Sequence, residues 1–206
     1  TYTLTITKAN NPVSVTANTG IKYGASTALV TTKNAQGTVY YAVGTQLTAS
    51  NYTTSGSTTV PTASGRNQGS YVVYYYVAGN TNYNPSSGSV TTSIARTTGS
   101  VTLKPTSGSV TYGTSQATFQ ATGTGTLSVS DDNSTATSSI SGSTVTIGNI
   151  GSLSAGTTIK VTVTAAQSTN YNAASATYTL TITTTPAGCP TTTDYRGYFN
   201  NAPHYI

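Results

Sequence analysis

Residues able to do chemistry are scarce in this 206-residue chain, and their spacing argues against an active site. The single histidine is His204, the single cysteine is Cys189, and the three acids are Asp131, Asp132 and Asp194. From Thr1 to Ser130 there is neither a carboxylate side chain nor an imidazole. Catalysis needs a base, a nucleophile and an orienting group converging on one point, so the first half cannot supply ordinary acid–base chemistry. One His with one Cys cannot close a tetrahedral transition-metal shell. We therefore expect no enzyme, no cofactor and no metal centre. Asp131-Asp132-Asn133 is the one oxygen-rich cluster; it reads as a turn capped by its own side chains, with calcium as the alternative that such oxygens permit. Lys160 beside Asp131 or Asp132 is the only combination left for an acid-assisted Lys–Asn cross-link. Asn51-Tyr52-Thr53 and Asn133-Ser134-Thr135 match the glycosylation acceptor pattern, which a chain this rich in Thr and Asn also produces by chance.

With catalysis set aside, the elements that build the chain carry the information. Charged residues make up 5% of the sequence and Glu is absent, against about a quarter charged in typical soluble domains. The net charge of +5 reflects missing acids rather than basic clusters, since Lys8, Lys22, Lys33, Lys104, Lys160, Arg66, Arg96 and Arg196 are scattered. Nucleic-acid binding requires a basic stripe, and none is present. No stretch is long and apolar enough to span a bilayer, and no signal peptide or initiator Met opens the chain, so we expect a processed product or a segment of something longer. One cysteine excludes an intrachain disulfide. We expect Cys189 to be a free thiol, with bonding between chains as the alternative. A Thr/Ser/Asn surface with few charges fits an extracellular setting.

The chain repeats itself. Thr81-Asn82-Tyr83-Asn84 returns as Thr169-Asn170-Tyr171-Asn172, a shift of 88, and Ile21-Lys22-Tyr23-Gly24 returns as Val110-Thr111-Tyr112-Gly113, a shift of 89. Two landmarks with nearly one offset mean tandem copies of a single unit. The opening Thr1-Tyr2-Thr3-Leu4-Thr5-Ile6-Thr7 is identical to Thr177–Thr183, the closing strand of the second copy. Residues 1–7 thus read as the last strand of a preceding or neighbouring domain, or as a strand donated to another subunit. Residues 8–96 form the first domain, 97–183 the second, and 184–206 an aromatic tail.

Alternating Thr, Val, Tyr and Ile with Gly, Asn and Ser turns predict an all-β fold without helices. Strands are expected near 13–17, 21–23, 26–32, 37–44, 58–62, 70–78 and 87–94. In the second copy they fall near 100–103, 109–112, 116–122, 126–130, 136–140, 144–148, 158–165 and 176–183. Ile159, Val161 and Val163 should face Tyr178, Leu180 and Ile182, with Phe119, Val129, Val145 and Ile147 between them. About seven short strands per copy predict two tandem β-sandwiches.

The second copy opens Val-Thr-Tyr-Gly, continues Ser-Gly-Ser-Thr-Val-Thr-Ile and closes Asn-Tyr-Asn-Ala-Ala-Ser-Ala-Thr-Tyr-Thr-Leu-Thr-Ile. With these motifs it resembles a bacterial immunoglobulin-like (Big-type) domain. The first, with Val39-Tyr40-Tyr41, Tyr71–Tyr76 and Asn82-Tyr83-Asn84, resembles a sister type. The resemblance implies tandem immunoglobulin-like domains of bacterial surface or phage virion proteins, serving as spacers and adhesive decorations. It carries no catalytic motif.

Comparison of the copies singles out one face. Val72, Tyr74 and Tyr76 align with Lys160, Thr162 and Thr164, so one strand face is apolar and aromatic in the first copy and polar in the second. Tyr40 on the neighbouring strand is expected to join it. Tyr buries large area while its hydroxyl stays satisfied, which suits an interface. The competing reading packs these tyrosines under a loop such as 50–56 of their own domain. In the tail, Tyr195, Tyr198 and Phe199 are expected to pack on a surface rather than stand in water. The function expected is a non-enzymatic extracellular spacer or filament component. Its partners would be copies of itself or other surface or virion subunits. The alternative is a carbohydrate- or receptor-binding decoration of a phage capsid or tail.

Overall fold

A computed structural model describes residues 1–184 of the chain. In the first copy the strands are β1 (Ser14–Ala17), β2 (Ile21–Lys22), β3 (Val30–Lys33), β4 (Val39–Val43), β5 (Gly69–Val77) and β6 (Ser86–Ala95), with a one-turn helix α1 (Tyr52–Ser55) between β4 and β5. The second copy holds β7 (Val101–Lys104), β8 (Ser107–Thr111), β9 (Ala117–Gly123), β10 (Leu127–Asp131), β11 (Thr137–Ser141), β12 (Thr144–Gly148), β13 (Thr158–Ala165) and β14 (Ala174–Thr183). By compactness the described residues divide into two units. One takes Thr1–Thr102, Thr122–Ser128 and Thr164–Ala176; the other takes Leu103–Ala121, Val129–Val163 and the described residues from Thr177 onward.

In the second copy, β11-β12-β9-β7 form one sheet and β10-β13-β14-β8 the other. Lettered in chain order, with β7 and β8 as two halves of the opening strand, the first sheet is ABED and the second is CFG plus the second half of A, the arrangement of immunoglobulin constant domains. The opening strand is split, so that β8 joins the second sheet parallel to β14 over five positions, Ser107↔Thr179 to Thr111↔Thr183. Ile159, Val161 and Val163 are fully buried with Val145 and Ile147, and Tyr178, Leu180 and Ile182 are nearly so. Between the sheets the Phe119 and Tyr178 rings stack, centroids 4.0 Å apart and 7° from parallel. Burial pushes the Tyr178 phenol above its ordinary pKa, because the charged form loses its hydration. The inward residues of β13 and β14 thus follow the period-2 reading; Val129 is only half-buried.

The first copy keeps one sheet whole, β4-β5-β6-β2, and shortens the other to β1-β3. Again the opening strand is split: β1 pairs with β3, and its second half, β2, runs parallel to the closing strand β6, Ile21↔Ile94 and Lys22↔Ala95. Val15, Ile21, Leu29, Val30, Tyr41, Ala63, Val73 and Ile94 make its core, with Tyr71 and Tyr75 packed against it. The Tyr41 hydroxyl donates to Thr32 Oγ1 at 2.7 Å, tying β4 to β3.

Three sequence expectations need correction here. The strand expected at 58–62 survives only as isolated bridges, Tyr41↔Ser57 and Ala28↔Thr62. Pro61 has no N–H to give a ladder, although its carbonyl still accepts from Leu29 N–H at 2.8 Å. The strand expected at 26–32 starts late, at Val30. α1 breaks the all-strand reading; its four residues are too few for a helical period to register. Residues 1–7 pair with nothing among the described residues: Tyr2, Leu4 and Ile6 are 106%, 86% and 87% exposed.

Candidate attachment face

β5 lies between β4 and β6, so its two faces see different surroundings. Val73 is completely buried beneath it, flanked by Tyr71 and Tyr75 against the core. Tyr75 is opposite Gly88 in β6. A Cβ on that glycine would sit 2.9 Å from Tyr75 Cε1, so the missing side chain is what lets the ring lie flat across the sheet.

Val72, Tyr74 and Tyr76 point the other way, and the structure separates them. Asn51 organises the segment before α1: its Oδ1 accepts from Thr48 N–H at 2.7 Å, and its Nδ2 donates to Gln46 O at 3.0 Å. This places the Tyr52 ring on the face. Tyr52 stacks on Tyr76 at 4.6 Å between centroids and meets Tyr40 edge-on at 4.9 Å. Gly56 closes the segment, where a Cβ would approach Tyr40 Cβ to 3.1 Å and Leu47 Cδ1 to 3.2 Å. Tyr76 is consequently 8% exposed. Its assignment to an open interface is corrected: it is covered by its own unit, as is one edge of half-buried Tyr40. The physical reason is that three aromatic rings bury more area together than an uncovered pair would.

Val72 and Tyr74 remain half-buried on the uncovered part of the face. Tyr74 borders a shallow hollow of about 120 Å³ with Gln46, Leu47, Ser87, Gly88 and Ser89. Tyr195, Tyr198, Phe199 and Cys189 lie outside the described residues. Tyr52 belongs to the loop 50–56 that the competing reading laid over these tyrosines, and for Tyr76 that reading holds; the residue itself was singled out only as part of a glycosylation-like triplet, whose Asn51 amide is engaged on both its atoms. One oxygen of each side chain in the Asp131-Asp132-Asn133 cluster accepts from backbone N–H groups. Asp131 accepts from Asn133 N–H at 3.2 Å, Asp132 from Lys160 N–H at 2.8 Å, and Asn133 from Thr135 and Ala136 N–H at 2.9 and 3.0 Å. That is a capped turn.

The two repeated motifs are also repeated geometry. Tyr23 N–H donates to Ala95 O and Ala25 N–H to Lys22 O; Tyr112 N–H donates to Thr183 O and Thr114 N–H to Thr111 O. Gly24 and Gly113 hold φ of 85° and 86°, which the third position of such a turn requires. Each Asn-Tyr-Asn is gripped by the residues ahead of its own copy. Ala9 donates to Asn82 O and accepts from Asn84 N–H, and Thr97 does the same with Asn170 and Asn172.

No protein-family model matches the chain, and no curated protein sequence does. Among solved structures it is similar to domains 4 and 5 of the S-layer protein SbsC, at 17% identity over 85% of this chain and 100% of that one, TM-score 0.36. It is similar to SbsC domains 1–6, at 17% identity over 87% of this chain and 29% of that one, TM-score 0.38. It is also similar to titin domains A168–A170, at 10% identity over 85% of this chain and 66% of that one, TM-score 0.41. The chain thus spans less than a third of the longer SbsC protein. Likenesses this low carry nothing about function, and the fold rests on the strand order itself.

Proposed function

We propose that the chain is a non-enzymatic, extracellular structural module, a spacer or filament component of a bacterial surface or virion, built from repeats 8–96 and 97–183. The observation that carries this reading is the parallel pairing of opening and closing strands in each copy, β2 with β6 and β8 with β14. Parallel first and last strands send the chain in at one end of a sandwich and out at the other. Tension along the chain then loads that ladder in shear, with its hydrogen bonds sharing the force. Residues 1–7, which repeat β14 letter for letter, fit the same reading as the closing strand of another such domain.

Attachment is assigned to Val72 and Tyr74, without Tyr76. The second reading, carbohydrate recognition on the same face, draws on the hydroxyls of Ser87 and Ser89 beside Tyr74. The hollow there, about 120 Å³, is small against the roughly 300–1,000 Å³ of ordinary ligand pockets, which favours a protein partner. The test is the double variant Val72→Thr with Tyr74→Thr, which gives β5 a polar face like that of β13. It should keep the wild-type thermal midpoint and lose retention on immobilised copies of the chain at about 1 μM, far below the millimolar effective concentration of linked domains. Loss of retention on a glycan array instead would support the carbohydrate reading. Unchanged retention on both would remove the face from any attachment role.

A further inference from the structure

Among the described residues, four large apolar side chains are exposed: Tyr2, Leu4, Ile6 and Tyr112. Every one has a covered counterpart at the repeat spacing. Tyr2, Leu4 and Ile6 correspond to Tyr178, Leu180 and Ile182, buried to 3%, 1% and 1%. Tyr112 corresponds to Tyr23, which occupies the same turn, and what covers Tyr23 is known. The Tyr171 ring of the second Asn-Tyr-Asn meets it edge-on, centroids 5.5 Å apart. Both residues belong to the first compact unit. Around this pair Asn170 Oδ1 accepts from Gln68 N–H at 2.8 Å, Asn170 Nδ2 donates to Asn67 Oδ1 at 2.9 Å, and Arg96 Nε donates to Ser168 O at 3.0 Å. Tyr112 is 56% exposed on an otherwise identical turn.

We infer that the Tyr112 turn is a docking seat for the Asn82-Tyr83-Asn84 turn of a second copy of this chain, giving head-to-tail association. The occupant is fixed by the internal example: Tyr83 is the repeat counterpart of Tyr171, and its turn is held by Ala9 as that of Tyr171 is held by Thr97. Asn82 is exposed and free to take the place that Asn170 takes. The match is not complete. Ala155 and Gly156 stand where Asn67 and Gln68 stand, and Gly156 N–H is already given to Ile182 O. The aromatic pair therefore carries most of the contact between separate chains. A contact formed within one chain enjoys an effective concentration of about millimolar, so the association between free chains is weak. It uses neither Val72 nor Tyr74 and stands apart from the attachment face.

The experiment is sedimentation equilibrium of the full chain over about 0.05–2 mM, the range set by that effective concentration. In the Val72→Thr, Tyr74→Thr background, which removes the attachment face, the weight-average mass should climb with concentration, and adding Tyr112→Ala or Asn82→Ala with Tyr83→Ala should each hold the chain at monomer. Mixing the two variants should restore association but stop at dimers, because each keeps one intact end. Far-ultraviolet circular dichroism and the thermal midpoint verify that both variants fold. The Val72→Thr, Tyr74→Thr chain should associate end to end as wild type does. A wild-type chain that stays monomeric throughout overturns the inference, as does association that survives both substitutions. Association appearing only after removal of residues 184–206 would give the seat to the chain's own C-terminal segment and overturns it equally.

Discussion

Tyr74 and Tyr76 stand two residues apart on one strand face and differ in what lies over them. Tyr52 stacks on Tyr76, while Tyr74 looks into a hollow edged by serines. Truncating a buried aromatic removes its transfer free energy and leaves a cavity. Tyr76→Thr should therefore destabilise the first unit by about 2–4 kcal/mol. Tyr74→Thr should stay within about 0.5 kcal/mol, the usual range for surface changes. Chemical denaturation of the single variants checks both. Equal costs would mean that the stacked trio does not hold its place in solution.

At the scale of elements, the covering of the face is the work of one short segment. α1 is a single turn without a side-chain cap at its own start, so it depends on the Asn51 amide bonds to Thr48 and Gln46. Asn51→Ala should cost about 1–2 kcal/mol from those bonds. It should also speed amide exchange across 48–56 without changing β5, which hydrogen–deuterium exchange by residue can read. Protection lost evenly across the unit would contradict this division of labour. This segment also shows what the sequence could and could not convey. Alternation made β13 and β14 legible because every second residue is apolar and faces one continuous core. Neither the expected strand at 58–62 nor α1 was legible. Pro61 breaks a ladder that propensity alone would extend, and one helical turn is shorter than any period. Position 76 was legible as aromatic, and its cover from loop 50–56 stood only as the competing reading, because the covering ring comes from 24 residues earlier, through a turn whose closure only the fold displays. The repeated Asn-Tyr-Asn and Tyr-Gly motifs announced a repeat. That they meet as Tyr171 on Tyr23 required the structure.

For the whole molecule the central claim is mechanical: a chain of sandwiches, each closed by parallel end strands. The two copies differ in the length of that closure, two paired positions for β2 and β6 against five for β8 and β14. If backbone hydrogen bonds loaded in shear share the force, the first copy should yield first. Single-molecule stretching of the full chain tests this most directly. The account predicts two separate unfolding events, each releasing about 300 Å of chain for an 88-residue repeat at roughly 3.3–3.6 Å per residue. The weaker event should come first, and Tyr76→Thr should lower its force while leaving the second unchanged. Extension without discrete events, or a Tyr76→Thr effect on the stronger event instead, would contradict the account.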